Sequence, residues 1–297
     1  MNRIMVRKNR KSVVGPARLN EIAELAEAVA EEHCPTDQVR PTEIARAKGI
    51  TMSFGAYGQA FDGMLESAAG RFHIYCNTQS TGAAEAPRTR FTLAHELGHY
   101  YIDEHRRALQ AGRAIAHRST CEYESPNVAE QEADHFAANL LMPARRFMTV
   151  AKKARRAGLG LGGVLALAGR FQTSITSTAI RYAAAEVAPC AVIKWTWRGY
   201  AWKWLSSSTF EARLRKTFEA FTDLPEDCPT RRALARQPQP QRGYFEAGTT
   251  ASAWFPAVGP GDFRDAVFIE QAVSLGRFGV LTFLYPQQGG YMFGKAR

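Results

Sequence analysis

The run His95-Glu96-Leu97-Gly98-His99 has the residue types and the spacing for metal chemistry. On a helix, residues four apart lie about 40° apart around the axis, so the two imidazoles converge on one point. A zinc ion bound there would have Glu96 beside it, placed to take a proton from the metal's water. That is the division of labour of metal-assisted peptide hydrolysis. Leu97 and Gly98 carry no chemistry.

A catalytic zinc needs three protein ligands and one open position. Glu130, 31 residues after His99 at the start of the next helix, is the expected third ligand. Asp134 shares its face one turn later, where it can accept a hydrogen bond from the free ring nitrogen of a ligating histidine. Glu132 is turned about 160° away from Glu130 and reads as a solvated charge. His105 is the rival ligand, since His95, Glu96, His99 and His105 have the spacing of the metzincin pattern H-E-x-x-H-x-x-G-x-x-H. That pattern has a glycine where the helix breaks, and Ile102 stands there, a β-branched residue poorly suited to positive φ. Tyr100, Tyr101, Tyr123 and His135 are oxyanion-stabilising candidates that read more simply as packing or surface residues. His33, His73 and His117 read as surface or satisfied core residues.

The elements that must position these groups can be read from periodicity and punctuation. Pro16 to Glu32 has apolar residues at helical spacing, and a short helix follows Pro41-Thr42-Glu43, with Thr42 as its cap and Gly49 at its end. Ile50 to Phe54, Phe61 to Glu66 and Arg71 to Asn77 read as strands, a small sheet ahead of the metal helix. Gly82 to Pro87 is a loop. The motif helix is expected from about Thr89 to Glu104, and the next from Asn127 to Leu141, stopped by Pro143. Ala151 to Ala185 is helical with a break at Gln172-Thr173-Ser174, the size of a helix-turn-helix, or of a plain helical hairpin packed on the catalytic domain. Beyond Pro189, the segments Ala191 to Thr196 and Tyr200 to Trp204 read as a hairpin, with further strands at Ala266 to Glu270 and Gly279 to Tyr285. Its four tryptophans read as core or as a binding face. Gln237 to Gln241 is a proline-rich loop.

At 297 residues with 45% hydrophobic and 22% charged content, the chain is long enough for two domains with real cores. Cys34, Cys76, Cys121, Cys190 and Cys228 are odd in number, widely scattered and form no C-x-x-C pair, which argues against a disulfide framework or cysteine zinc site and for reduced thiols in the cytoplasm. Arg3, Arg7, Lys8, Arg10 and Lys11 precede no apolar stretch, so no secretory signal and no membrane span is expected. The formal charge of +10 is compatible with an indirect nucleic-acid partner or with acidic proteins, and no base-reading fingerprint accompanies it.

Arg90 to His99, read with Glu130-Gln131-Glu132-Ala133-Asp134-His135-Phe136-Ala137-Ala138-Asn139-Leu140-Leu141-Met142-Pro143, closely resembles the ImmA/IrrE family of bacterial zinc metallopeptidases. The resemblance covers roughly residues 17 to 185. It implies Zn2+ held by His95, His99 and Glu130, Glu96 as general base, and a zincin-like peptidase followed by a helix-turn-helix-like segment. It also implies a protein substrate, a helix-turn-helix transcriptional repressor of the XRE type, whose cleavage releases stress-response or mobile-element genes. The expected fold class is α+β. Residues 1–15 form a basic tail and 16–150 the zincin-like peptidase domain with its small sheet. Residues 151–188 form the helix-turn-helix-like segment and 189–297 a separate β-rich domain open to a sensory role. The competing reading is a non-catalytic DNA-binding or regulatory protein with a structural zinc site.

Overall fold

The computed structural model describes residues 14–34, 36–112, 117–119, 127–157, 160–206, 224–235, 244–254 and 266–287. The basic residues from Arg3 to Lys11, Cys121, Tyr123 and the Gln237 to Gln241 loop lie outside the described residues. The described residues fall into two compact units, one drawn from 1–147 and 168–174, the other from 148–167 and 175–297.

In the first unit, proline begins three helices: α1 (Pro16–His33), α2 (Pro41–Ala47) and, further on, the motif helix. A first-turn residue needs no N–H, and proline presets the helical φ. The start at Pro41 leaves Arg40 at the cap position without a side-chain bond, so Thr42 is not the cap. Three strands follow, β1 (Thr51–Gly55), β2 (Gly63–Ala68) and β3 (Arg71–Asn77). β1 runs parallel to β3, and β2 lies antiparallel between β3 and a short β4 (His117–Ser119) that periodicity did not reveal. Asn77 caps the one-turn helix α3 (Thr78–Thr81).

The motif helix α4 (Pro87–Tyr101) is shorter than its expected span. Ile102 is extended, with φ −73° and ψ 111°, and α5 (Asp103–Gln110) starts afresh after it. The helix therefore breaks at the residue where the sequence offered no glycine, because an extended break needs no positive φ. α6 (Val128–Leu141) begins at Asn127, whose Oδ1 accepts the Ala129 N–H at 3.0 Å, and ends at Met142 before Pro143. One core joins Ile22, Ala26 and Val29 of α1, Leu65 and Ile74 of the sheet, Leu93 and Leu97 of α4, and Phe136 and Leu140 of α6. At about 1.5–3 kcal/mol for each large apolar side chain taken out of water, this burial holds the motif helix in place.

The helical region contains α7 (Ala144–Ala157), α8 (Leu161–Phe171) and α9 (Ile175–Ala184); α8 and α9 part at residues 172–174, where a break was expected, and α7 ends ahead of α8 at a point where none was. The second unit carries a wholly antiparallel sheet in the order β6-β5-β9-β8-β7: β5 (Ala191–Thr196), β6 (Gly199–Leu205), β7 (Phe245–Thr250), β8 (Val267–Ser274) and β9 (Val280–Pro286). Its core gathers Trp195, Trp254, Phe268 and Leu284. Trp197 and Trp204 of the hairpin are exposed, so its tryptophans divide between core and surface. No helix among the described residues is long and apolar enough to cross a membrane.

Candidate metal centre

From Thr92 to His99 α4 is enclosed: His95 is 1% exposed, Glu96 and His99 not at all. Arg90, buried in its first half, anchors the helix by donating to the carbonyls of Val39 and Gln172 at 2.7 and 3.1 Å. The four-residue spacing brings His95 Nε2 and His99 Nε2 to 3.1 Å. From the start of α6, Glu130 sends Oε2 to 3.3 Å from His95 Nε2 and Oε1 to 3.4 Å from His99 Nε2. Donor atoms on a tetrahedral zinc, at bond lengths of about 2.0–2.1 Å, stand roughly 3.3 Å apart. The imidazole pair stands at that spacing, the carboxylate sets one oxygen near it from each ring, and the donor set of two imidazoles and a carboxylate suits the ion.

The electrostatics point the same way. Burial works against a charge on His95, yet the hydrogen-bonding carboxylates Asp134 and Glu130 outweigh it and push the imidazole well above its ordinary value. A proton there meets a demand for positive charge that a cation would also meet.

Asp134 lies where the helical spacing put it, with Oδ1 2.8 Å from His95 Nδ1. Glu132 does not: it is 6% exposed rather than solvated. The face of α6 turned away from Glu130 is covered by α1, whose Arg18 Nε lies 3.1 Å from Glu132 Oε1. His105 is not brought among the three donor atoms. Its Nδ1 lies 3.2 Å from His99 Nδ1, on the far side of that ring from Nε2, and its Nε2 lies 3.0 Å from Glu132 Oε2.

Glu96 rests against β2. A Cβ at Gly63 would stand 2.6 Å from Glu96 Oε1 and 2.4 Å from Thr92 Cγ2. Gly98 has a comparable role on the opposite flank, since a Cβ there would stand 3.1 Å from Ala133 Cα and 3.2 Å from its carbonyl oxygen. The signal for Gly98 was present in the sequence: glycine inside a helix costs about 1 kcal/mol against alanine and calls for a packing reason. Among the oxyanion candidates, Tyr100 packs edge-on to Phe72 at 5.1 Å and Tyr101 stacks on Phe136 at 5.7 Å, while His135 is half-buried on α6. His33 sits beside Glu32, and His73 between the hydroxyls of Thr51 and Ser53, both away from the cluster.

Residues 83–182 match the model of the Peptidase_M78 family, described as the IrrE N-terminal-like domain. Among solved structures, a Mycobacterium tuberculosis transcriptional regulator is similar with a TM-score of 0.55 at 12% identity, over 91% of this chain and 78% of that one, a likeness of fold. No curated protein matches the sequence.

Proposed function

From the premise that residues 83–182 are an IrrE N-terminal-like domain of the Peptidase_M78 family, we propose that this chain is a zinc-dependent endopeptidase. The observation that carries the reading is the trio His95, His99 and Glu130 at zinc-ligand separations, with Glu96 buried beside it. The substrate is a helix-turn-helix transcriptional repressor of the XRE type, and its cleavage in the cytoplasm releases stress-response or mobile-element genes. The domain's match to an IrrE-like model supports that substrate class.

His95, His99 and Glu130 would hold the ion, and Asp134 would keep the hydrogen of His95 on Nδ1. When bound, zinc supplies Lewis-acid polarisation of the scissile carbonyl and acidifies water. The Glu96 carboxylate accepts the proton of the attacking water and returns it to the departing amine. Enclosure of α4 keeps bulk water from competing with that transfer.

Glu96→Gln is expected to retain zinc and to lose cleavage of the cognate repressor by at least about 10²-fold, read by metal analysis and by gel. Undiminished cleavage would remove Glu96 as the base. A second reading, a DNA-binding regulator with a structural metal site, draws on the formal charge of +10. Specific duplex binding together with normal function of Glu96→Gln would select it.

A further inference from the structure

We propose that His105 is a positioning residue for His99, selecting the ring tautomer that can ligate metal, and that Glu132 and Arg18 hold it in that role. The inference rests on the reading of His99 as a metal ligand.

His99 offers Nε2 to the site, 3.1 Å from His95 Nε2 and 3.4 Å from Glu130 Oε1. A nitrogen that gives its lone pair to a metal carries no hydrogen, so the hydrogen of the neutral ring sits on Nδ1. That Nδ1 faces His105 Nδ1 at 3.2 Å in a buried setting. A hydrogen bond needs one donor and one acceptor, so His105 Nδ1 accepts and its own hydrogen lies on Nε2. There it donates to Glu132 Oε2, 3.0 Å away. Glu132 is in turn held by Arg18, whose Nε donates to Oε1 at 3.1 Å and whose Nη2 donates to Glu104 at 2.9 Å.

With Nε2 of His99 turned to a metal and His105 neutral, the chain of bonds has one self-consistent direction. Reversed, His105 would turn a lone pair on Nε2 towards a carboxylate oxygen at 3.0 Å, and His99 would carry its hydrogen on Nε2, where it blocks the metal. The two ligand histidines are thus held by different means. His95 meets a carboxylate directly, and His99 meets one through an intervening imidazole.

The backbone supplies the geometry. Residues six apart on an unbroken helix point about 120° apart and lie about 9 Å apart along the axis. The extended Ile102 breaks that path, and α5 carries His105 back to the rear of His99. His105 is 8% exposed and Glu132 is 6% exposed, so neither bond competes with bulk water.

The test uses the full-length protein and a zinc-chelator competition. His105→Phe keeps the ring volume and removes the acceptor, and zinc affinity is expected to fall about 10- to 100-fold. Nitrogen-15 NMR of the metal-free protein should then show the His99 hydrogen moved from Nδ1 towards Nε2 relative to the wild type. His105→Asn, whose amide oxygen can accept from His99, should restore part of the affinity. Glu132→Gln, of the same size, should give a smaller loss and decides the matter if His105→Phe does not fold. Wild-type affinity and an Nδ1 hydrogen in folded His105→Phe would overturn the proposal. A wild type that takes up no zinc would instead overturn the metal-ligand reading beneath it.

Discussion

A methyl group at position 63 would stand 2.6 Å from Glu96 Oε1, closer than a carbon and an oxygen can rest. The backbone of β2 is therefore the wall against which the proposed base is held, and no residue larger than glycine leaves that carboxylate where it is. Gly63→Ala is expected to displace Glu96 without touching His95, His99 or Glu130. A misplacement of about 1 Å costs on the order of 10²-fold in rate, so cleavage should fall by that factor while zinc content stays at wild-type level. Parallel metal analysis and cleavage assays check this, and a joint loss of both would contradict it. The imidazole pair was legible in the sequence because the helix itself fixes the angle between residues four apart. Gly63 was not, because it meets Glu96 only when a strand and a helix 33 positions apart pack together. Glu132 was misread for a related reason: helical angle gives the direction of a side chain, and burial depends on what covers that direction.

Between elements, the critical approach is that of α4 to α6 at Gly98. The two atoms nearest a Cβ there are backbone atoms of Ala133 of α6, followed by Phe136 Cβ, and backbone cannot turn aside as a flexible side chain can. In Gly98→Val the two helices must separate, and Glu130 retreats with α6. Overpacking of this kind costs about 1–3 kcal/mol, so a lower midpoint in urea and a weaker hold on zinc are both expected, read by denaturation and chelator competition. Unchanged metal affinity would show that α6 accommodates the side chain without moving Glu130. The helix start at Pro16, the start near Asn127 and the stop at Pro143 were readable because each acts through its own backbone, whereas the cap expected at Thr42 gave way to a start at Pro41. The break at Ile102 was not, since no local signal there competes with the helical pattern on either side.

Across the whole molecule, all five tryptophans lie in the second unit, at 195, 197, 202, 204 and 254, so their fluorescence reports that unit alone. Lys194 of β5 is 8% exposed and donates to the Phe278 carbonyl, and burial lowers its ammonium from 10.5 to about 8. Between those values the unfolded chain keeps a proton that the folded unit has released, so stability rises with pH across that window. Below it both states are protonated, and the fold carries the full desolvation penalty, at most about 3 kcal/mol. Urea titrations followed by tryptophan fluorescence from pH 7 to 10.5 should show the rise. Lys194→Met should flatten it, and an equal slope in both proteins would count against the assignment.

The sequence by itself determined the four-residue pairing of His95 with His99, the likeness to a metallopeptidase family, the small sheet ahead of the motif helix and the separate β-rich region. Those features are written in short-range spacing, where one element's geometry suffices. Only the tertiary structure decided that Glu130 comes within 3.4 Å of both imidazoles, that His105 stands behind His99, and that Glu132 is enclosed with Arg18. Those outcomes depend on how closely α1, α4, α5 and α6 pack, and burial and contact arise between elements that no single stretch of chain encodes.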